Sequence, residues 1–86
     1  MVTIELYGVA RLRAGRAAIE VAACSLGEAL AALGVACPAL EPLIVAGGRL
    51  APGWLVALNG AQITADPEMA LGEGDVVVLV SADAGG

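Results

Sequence analysis

The sequence has 86 residues, 9 of them acidic and 4 basic, for a formal net charge of −5, and a chain this short builds one small domain with one core. Histidine, lysine and phenylalanine are absent, so imidazole acid–base chemistry, Schiff-base chemistry and histidine metal ligation have no side chain to use. A self-sufficient active site and a bound cofactor are not expected, and an acidic surface that repels phosphate argues against a nucleic-acid partner.

The apolar fraction, 59%, comes largely from 19 alanines. The longest uncharged run, residues 50–65, contains Pro52, Gly53, Asn59, Gly60 and Gln62, which a membrane-spanning helix of about 20 apolar residues does not accommodate. No membrane association is expected. The amino terminus opens on a strand pattern instead of a basic and then apolar leader, so the expected location is cytoplasmic. Cys24 and Cys37 stand outside any CxxC pair and are expected as buried, reduced small apolar residues, a disulfide being the less expected state of a cytosolic pair.

Val2-Thr3-Ile4-Glu5-Leu6-Tyr7 alternates apolar and polar side chains, the pattern of a strand with one face on a core. Gly8 punctuates it. Residues 9–16 hold three of the four arginines, Arg11, Arg13 and Arg16, and are expected as a polar connection with solvated charges. Ala18-Ile19-Glu20-Val21-Ala22 then returns as a second strand, completing an antiparallel hairpin. Ser25-Leu26-Gly27-Glu28 fits a capping box, and Leu26, Ala29, Leu30 and Leu33 follow on one helical stripe, with Gly34 expected as the left-handed stop. Residues 38–45 suggest a second short helix interrupted by Pro42 and ended by Gly47-Gly48.

Trp54-Leu55-Val56-Ala57-Leu58 is a third strand, and Asn59-Gly60 is the favoured dipeptide for a tight turn into Ala61-Gln62-Ile63-Thr64. Trp54 is expected to pack on the core at the strand start, with an interface role as the alternative. Met69 and Leu71 should plug the core, and Gly72-Glu73-Gly74-Asp75 reads as a turn; its two carboxylates fall short of the six to eight oxygens calcium prefers. Val76-Val77-Val78-Leu79-Val80 has the composition of a central strand buried on both faces.

A hairpin, one main helix and a hydrophobic last strand place that strand parallel to the first, in the middle of a mixed sheet. This is an α+β, β-grasp (ubiquitin-like) arrangement, consistent with the right-handed crossover rule. A split ferredoxin-like fold would need one more helix. The expected organisation is a β-grasp domain over residues 1–80 and a flexible carboxy-terminal tail over 81–86.

The tail, Ser81-Ala82-Asp83-Ala84-Gly85-Gly86, has small side chains and no apolar anchor, so it is expected to leave the sheet and expose a carboxylate. Two glycines without Cβ atoms allow that carboxylate to pass down a narrow channel in a partner. A frayed end accounts for a lone Gly-Gly equally well; its meaning comes from the strand order before it.

Taken together, Leu6-Tyr7-Gly8-Val9-Ala10-Arg11-Leu12, the capped helix, Val56-Ala57-Leu58-Asn59-Gly60 and Leu71-Gly72-Glu73-Gly74-Asp75-Val76-Val77 before Gly85-Gly86 resemble the MoaD/ThiS family of ubiquitin-like sulfur-carrier proteins over essentially the whole chain. The length of the segment between Leu33 and Trp54 favours the MoaD-like branch. The resemblance implies that a ubiquitin-activating-type adenylyltransferase, using ATP and Mg²⁺, adenylates the Gly86 carboxylate. A persulfide then converts it to a thiocarboxylate, which a sulfur-accepting synthase subunit consumes. Gly86 carries the sulfur, while Gly85 and Ala84 give access to the partner. Family members that serve molybdopterin synthase commonly have aromatic and proline residues before the glycines. Leu79-Val80-Ser81-Ala82-Asp83-Ala84 has neither, so thiamine thiazole, cysteine, tRNA or a secondary metabolite stays open as the destination. A modifier joined through Gly86 to lysines of other proteins, and a β-grasp binding subunit without tail chemistry, are the competing roles.

Overall fold

In the computed structural model, which describes residues 1–42 and 44–81, the alternation of the first segment produces β1 (Val2–Leu6), with Val2, Ile4 and Leu6 buried. β2 (Ala18–Val21) runs antiparallel to it, Ile4 opposite Ile19 and Val2 opposite Val21. The hairpin expectation holds, but its connection differs. Residues 9–16 are not a polar loop: α1 (Gly8–Ala14) occupies the connection and ends at Gly15, whose N–H donates to the Arg11 carbonyl at 2.8 Å. Ala10 is fully buried and Ala14 packs against the core. Two alanines four residues apart make a stripe too thin to register as amphipathic, and no side chain caps the helix at Tyr7.

Ser25 caps α2 (Leu26–Ala36) as expected: its Oγ accepts from the Glu28 N–H at 3.2 Å. Glu28 reaches back to the N–H of Cys24 at 2.7 Å, one residue earlier than the reciprocal box has it. Leu26, Ala29, Leu30 and Leu33 are fully buried. Gly34 does not stop the helix; it lies inside it, buried, and a Cβ there would meet the Glu41 carboxylate. Its small size serves the packing of the chain that follows, and the helix continues to the Cys37 cap. Cys37 is buried and Cys24 exposed, both free, which corrects the expectation that both are buried.

The second helix shrinks to one turn of 3₁₀ helix, Pro38–Leu40. After it β3 (Val45–Ala46) and β4 (Arg49–Leu50) pair antiparallel around Gly47-Gly48. Gly48 has φ +83, and a Cβ on it would stand 2.9 Å from the Gly27 carbonyl oxygen in the first turn of α2. Both the left-handed backbone and the approach to another backbone require glycine. Gly48→Ala is expected to lose about 1–3 kcal/mol, because no rotamer relieves the clash; urea denaturation measures it, and an unchanged midpoint contradicts it.

β5 (Trp54–Leu58) and β6 (Gln62–Thr64) flank the Asn59-Gly60 turn, where both residues take positive φ, 52° and 74°. This is the mirror-image turn that strand twist favours. β7 (Val76–Ser81) runs parallel to β1, Ile4 opposite Val77, and antiparallel to β5, Val56 opposite Leu79. The sheet order β2-β1-β7-β5-β6 is the β-grasp arrangement the element order predicts, with a second, short helix beside the main one. β7 is central but not buried on both faces: Val77 and Leu79 are buried, whereas Val76, Val78 and Val80 are half-buried. The core, with its contributions from α1 and α2, lies on the Val77 and Leu79 side. Leu71 is buried and Met69 packs against the core, and the Met69 carbonyl accepts from the Leu26 N–H at 2.9 Å.

The start of β7 is fixed by side chains of two turns. Asp75 accepts from the Gly72 N–H at 2.8 Å and from the Asn59 amide at 3.1 Å, while Asn59 Oδ1 accepts from the Val76 N–H at 2.9 Å. The Gly72 N–H first, and the Asn59 amide second, hold the Asp75 pKa below its ordinary 3.8. A depressed carboxylate pKa stabilises the fold above the unfolded value, and that contribution disappears as pH falls through the folded value. NMR titration of the Asp75 carboxyl is expected to give a midpoint below 3.8 that rises in Asn59→Ala; a midpoint at or above the ordinary value contradicts the clamp.

Candidate functional site

β7 carries the chain out of the described residues at Ser81. There Ser81 stands opposite Trp54 on β5, and Leu79 stands opposite Leu6 at the end of β1. The parallel pairing of the first and last strands therefore puts the root of the tail beside the entry to α1. Tyr7, Gly8 and Val9 on one side, Trp54 on the other and Leu79, Val80 and Ser81 between them line a shallow groove of about 430 Å³. Trp54 is half-buried, packs against the core as expected, and also contributes to this groove.

Tyr7 stands on one wall of the groove, and Arg11 packs on its ring. The Tyr7 hydroxyl donates to Glu5 Oε1 at 3.1 Å, and the Arg11 guanidinium carbon stands 5.1 Å from the Tyr7 ring centroid, within cation–π range. Arg11 Nε also donates to the Leu6 carbonyl at 3.1 Å. Arg11 is exposed but is held against the Tyr7 ring and the Leu6 carbonyl.

The sheet face opposite the core continues from the groove. Leu55 pairs with Val80, and Ala57 pairs with Val78 on one side and Ile63 on the other, so these five apolar residues share one face. The first four are half-buried and Ile63 is 58% exposed. Sequence reasoning did not find this face, because β5 and β7 are apolar at nearly every position and no alternation separates their two sides. The exposed edge residue Ile63, between Gln62 and Thr64, is the signal that could have pointed to it.

Gly86, Gly85 and Ala84 lie outside the described residues; the structure places the strand that leads to them. Covalent geometry limits the five residues after Ser81 to about 18 Å of reach. Glu73 and Asp75 are not brought together as an ion site: Glu73 accepts from the Met1 ammonium and Asp75 is occupied by Gly72 and Asn59. Among the described residues no group of three or more candidate ligands converges on a metal position, and no helix is long and apolar enough to cross a membrane.

No protein-family model matches the sequence, and no curated protein matches it. Solved structures do. SAMP1 from Haloferax volcanii superposes with a TM-score of 0.79 at 28% identity, covering 93% of this chain and 92% of that one. A second structure of this small archaeal modifier protein 1 gives 0.77 at 29% identity, over 91% and 92% of the two chains. The BexX/CysO complex of Amycolatopsis orientalis contains a chain that matches over 100% of both lengths with a TM-score of 0.82 at 19% identity, a likeness of fold. By its sheet order, its parallel first and last strands and these likenesses, the chain is a ubiquitin-like β-grasp protein similar to small archaeal modifier protein 1.

Proposed function

We propose that this ubiquitin-like carrier is a co-substrate and not an enzyme, and that it transports sulfur as a thiocarboxylate on Gly86. The observation that supports this reading is the central β7 strand, which leads toward Gly85-Gly86 from an apolar groove, within a β-grasp frame like that of SAMP1. A carboxylate is a poor electrophile. Its oxygen attacks the α-phosphorus of ATP, with Mg²⁺, on a ubiquitin-activating-type adenylyltransferase, and pyrophosphate leaves. A persulfide sulfur of the partner then attacks the acyl carbon and AMP leaves. A thiol cleaves the resulting acyl disulfide, leaving the Gly86 thiocarboxylate and a disulfide. The sulfur then passes to a sulfur-accepting synthase subunit, in the synthesis of molybdopterin or another sulfur-containing product. All acid–base groups come from the partners, consistent with a chain that has neither histidine nor lysine.

Intact-protein mass spectrometry of the chain co-expressed with its activating enzyme tests this: a gain of about 16 Da, oxygen exchanged for sulfur, is expected at Gly86. An unchanged mass counts against it. The likeness to small archaeal modifier protein 1 favours a second reading, transfer of the Gly86 acyl group to lysine amines of other proteins. Because this chain has no lysine, it builds no polymers on its own side chains. Gly86-dependent conjugates of higher mass distinguish that role from the first.

A further inference from the structure

The charge of this acidic chain is unevenly placed. Residues 9–16 hold three of its four basic residues and none of its nine acidic ones. Arg11, Arg13 and Arg16 are exposed, and none has a carboxylate within salt-bridge distance among the described residues. Arg13 makes only a 3.5 Å contact with the Ala39 carbonyl. The side chains beside them are apolar and outward: Leu12 is 83% exposed and Val9 53%. Val9, Leu12 and Arg13 are spaced i, i+3 and i+4 and so are neighbours on the surface of α1, with Leu12 turned furthest from buried Ala10. Arginines in the last turn complement the helix dipole, which accounts for Arg11 and Arg13. The dipole does not require Arg16, which lies beyond the helix, nor an exposed leucine between two arginines.

We propose that this outer face of α1, continuous with the groove through Tyr7 and Val9, docks an acidic surface with an apolar centre on the partner that activates Gly86. The inference rests on the function proposed above. Charge complementarity selects the occupant: three cations without counter-ions among the described residues attract carboxylates, and exposed Leu12 gives the contact an apolar middle. Position supplies the second argument. Tyr7, Gly8 and Val9 share the groove with Leu79, Val80 and Ser81, so a protein that encloses the tail comes within reach of α1. Because the rest of the chain holds nine acidic residues against Arg49 alone, the patch also orients the encounter.

The test is ATP-dependent adenylation by the activating enzyme from the same genome, followed by pyrophosphate release. R13E/R16E is expected to raise KM for the carrier about tenfold or more at low salt with kcat unchanged, because rim charges act on encounter. Wild-type KM should rise with salt and the variant's should not. R13K/R16K should stay near wild type, and Leu12→Ser, at an exposed position, should raise KM without changing the melting temperature. A charge-reversed variant whose KM and salt dependence match wild type overturns the docking surface while leaving the carrier reading intact. Wild-type protein that is not adenylated at all overturns both. Sedimentation showing that R13E/R16E dissolves a dimer while KM is unchanged also overturns it, assigning the patch to a second copy of this chain.

Discussion

Deleting Gly86 is expected to abolish activation of the carrier while its unfolding curve stays where it was. The two halves of this result have separate causes. Among the described residues the core extends no further along the chain than Leu79, so a truncation seven positions later removes none of the identified packing. The reacting carboxylate, by contrast, moves back by one residue, about 3.3–3.6 Å along an extended chain. Misplacement of a reacting group by about 1 Å can already cost a hundredfold in rate, so adenylation should fall by at least that factor. Pyrophosphate release and intact mass measure the first half, and thermal unfolding followed by circular dichroism measures the second. Turnover retained without Gly86 would place the chemistry elsewhere. Unfolding at a lower temperature would show that the tail contributes to the fold.

Leu30→Ala should have the largest effect on stability. Leu30 is fully buried, on the stripe with Leu26 and Leu33 where α2 packs against the sheet. Truncating a buried leucine removes its transfer free energy and leaves a cavity, typically a loss of 2–5 kcal/mol. A chain of this length, at roughly 0.05–0.15 kcal/mol per residue, has about 4–13 kcal/mol in total. The substitution therefore removes a large share of the stability, and urea denaturation should show the midpoint displaced by about 1 M or more at an unchanged slope. Leu12→Ala at an 83% exposed position is the control, expected within about 0.5 kcal/mol of wild type. Equal effects at the two positions would mean that the buried stripe is not where the fold's stability lies.

Elements that announce themselves locally agree between sequence and structure. The Ser25 cap accepts its hydrogen bond, the Asn59-Gly60 turn takes positive φ at both residues, and the β1 alternation buries the expected set. The misses share a different origin. α1 meets the core through Ala10 and Ala14 alone, side chains too small to create a periodic signal, so its arginines dominated its appearance as a loop. Gly34 looks like a helix stop because a sequence displays glycine's conformational freedom but not its lack of volume, and inside α2 the Glu41 side chain lies over the space a Cβ would take. Five consecutive apolar residues in β7 suggested burial on both sides, although the core lies on only one.

The candidate site divides along the same line. The absence of histidine and lysine, the Gly85-Gly86 pair and the order of the five main strands and α2 were legible in the sequence, and the carrier role proposed above builds on them. The groove at the root of the tail was not legible there. Tyr7 and Ser81 are seventy-four positions apart, and only the parallel pairing of β1 with β7 makes them neighbours. The same holds for the outward stripe of α1, which exists because Ala10 turns inward and leaves Leu12 and the arginines facing solvent. Composition and local pattern are properties of short stretches of chain, so sequence alone determined the chemistry available and the local turns. Surfaces join residues distant in sequence through long-range strand pairing and packing, so only the tertiary structure decided which residues share the groove at the end of β7.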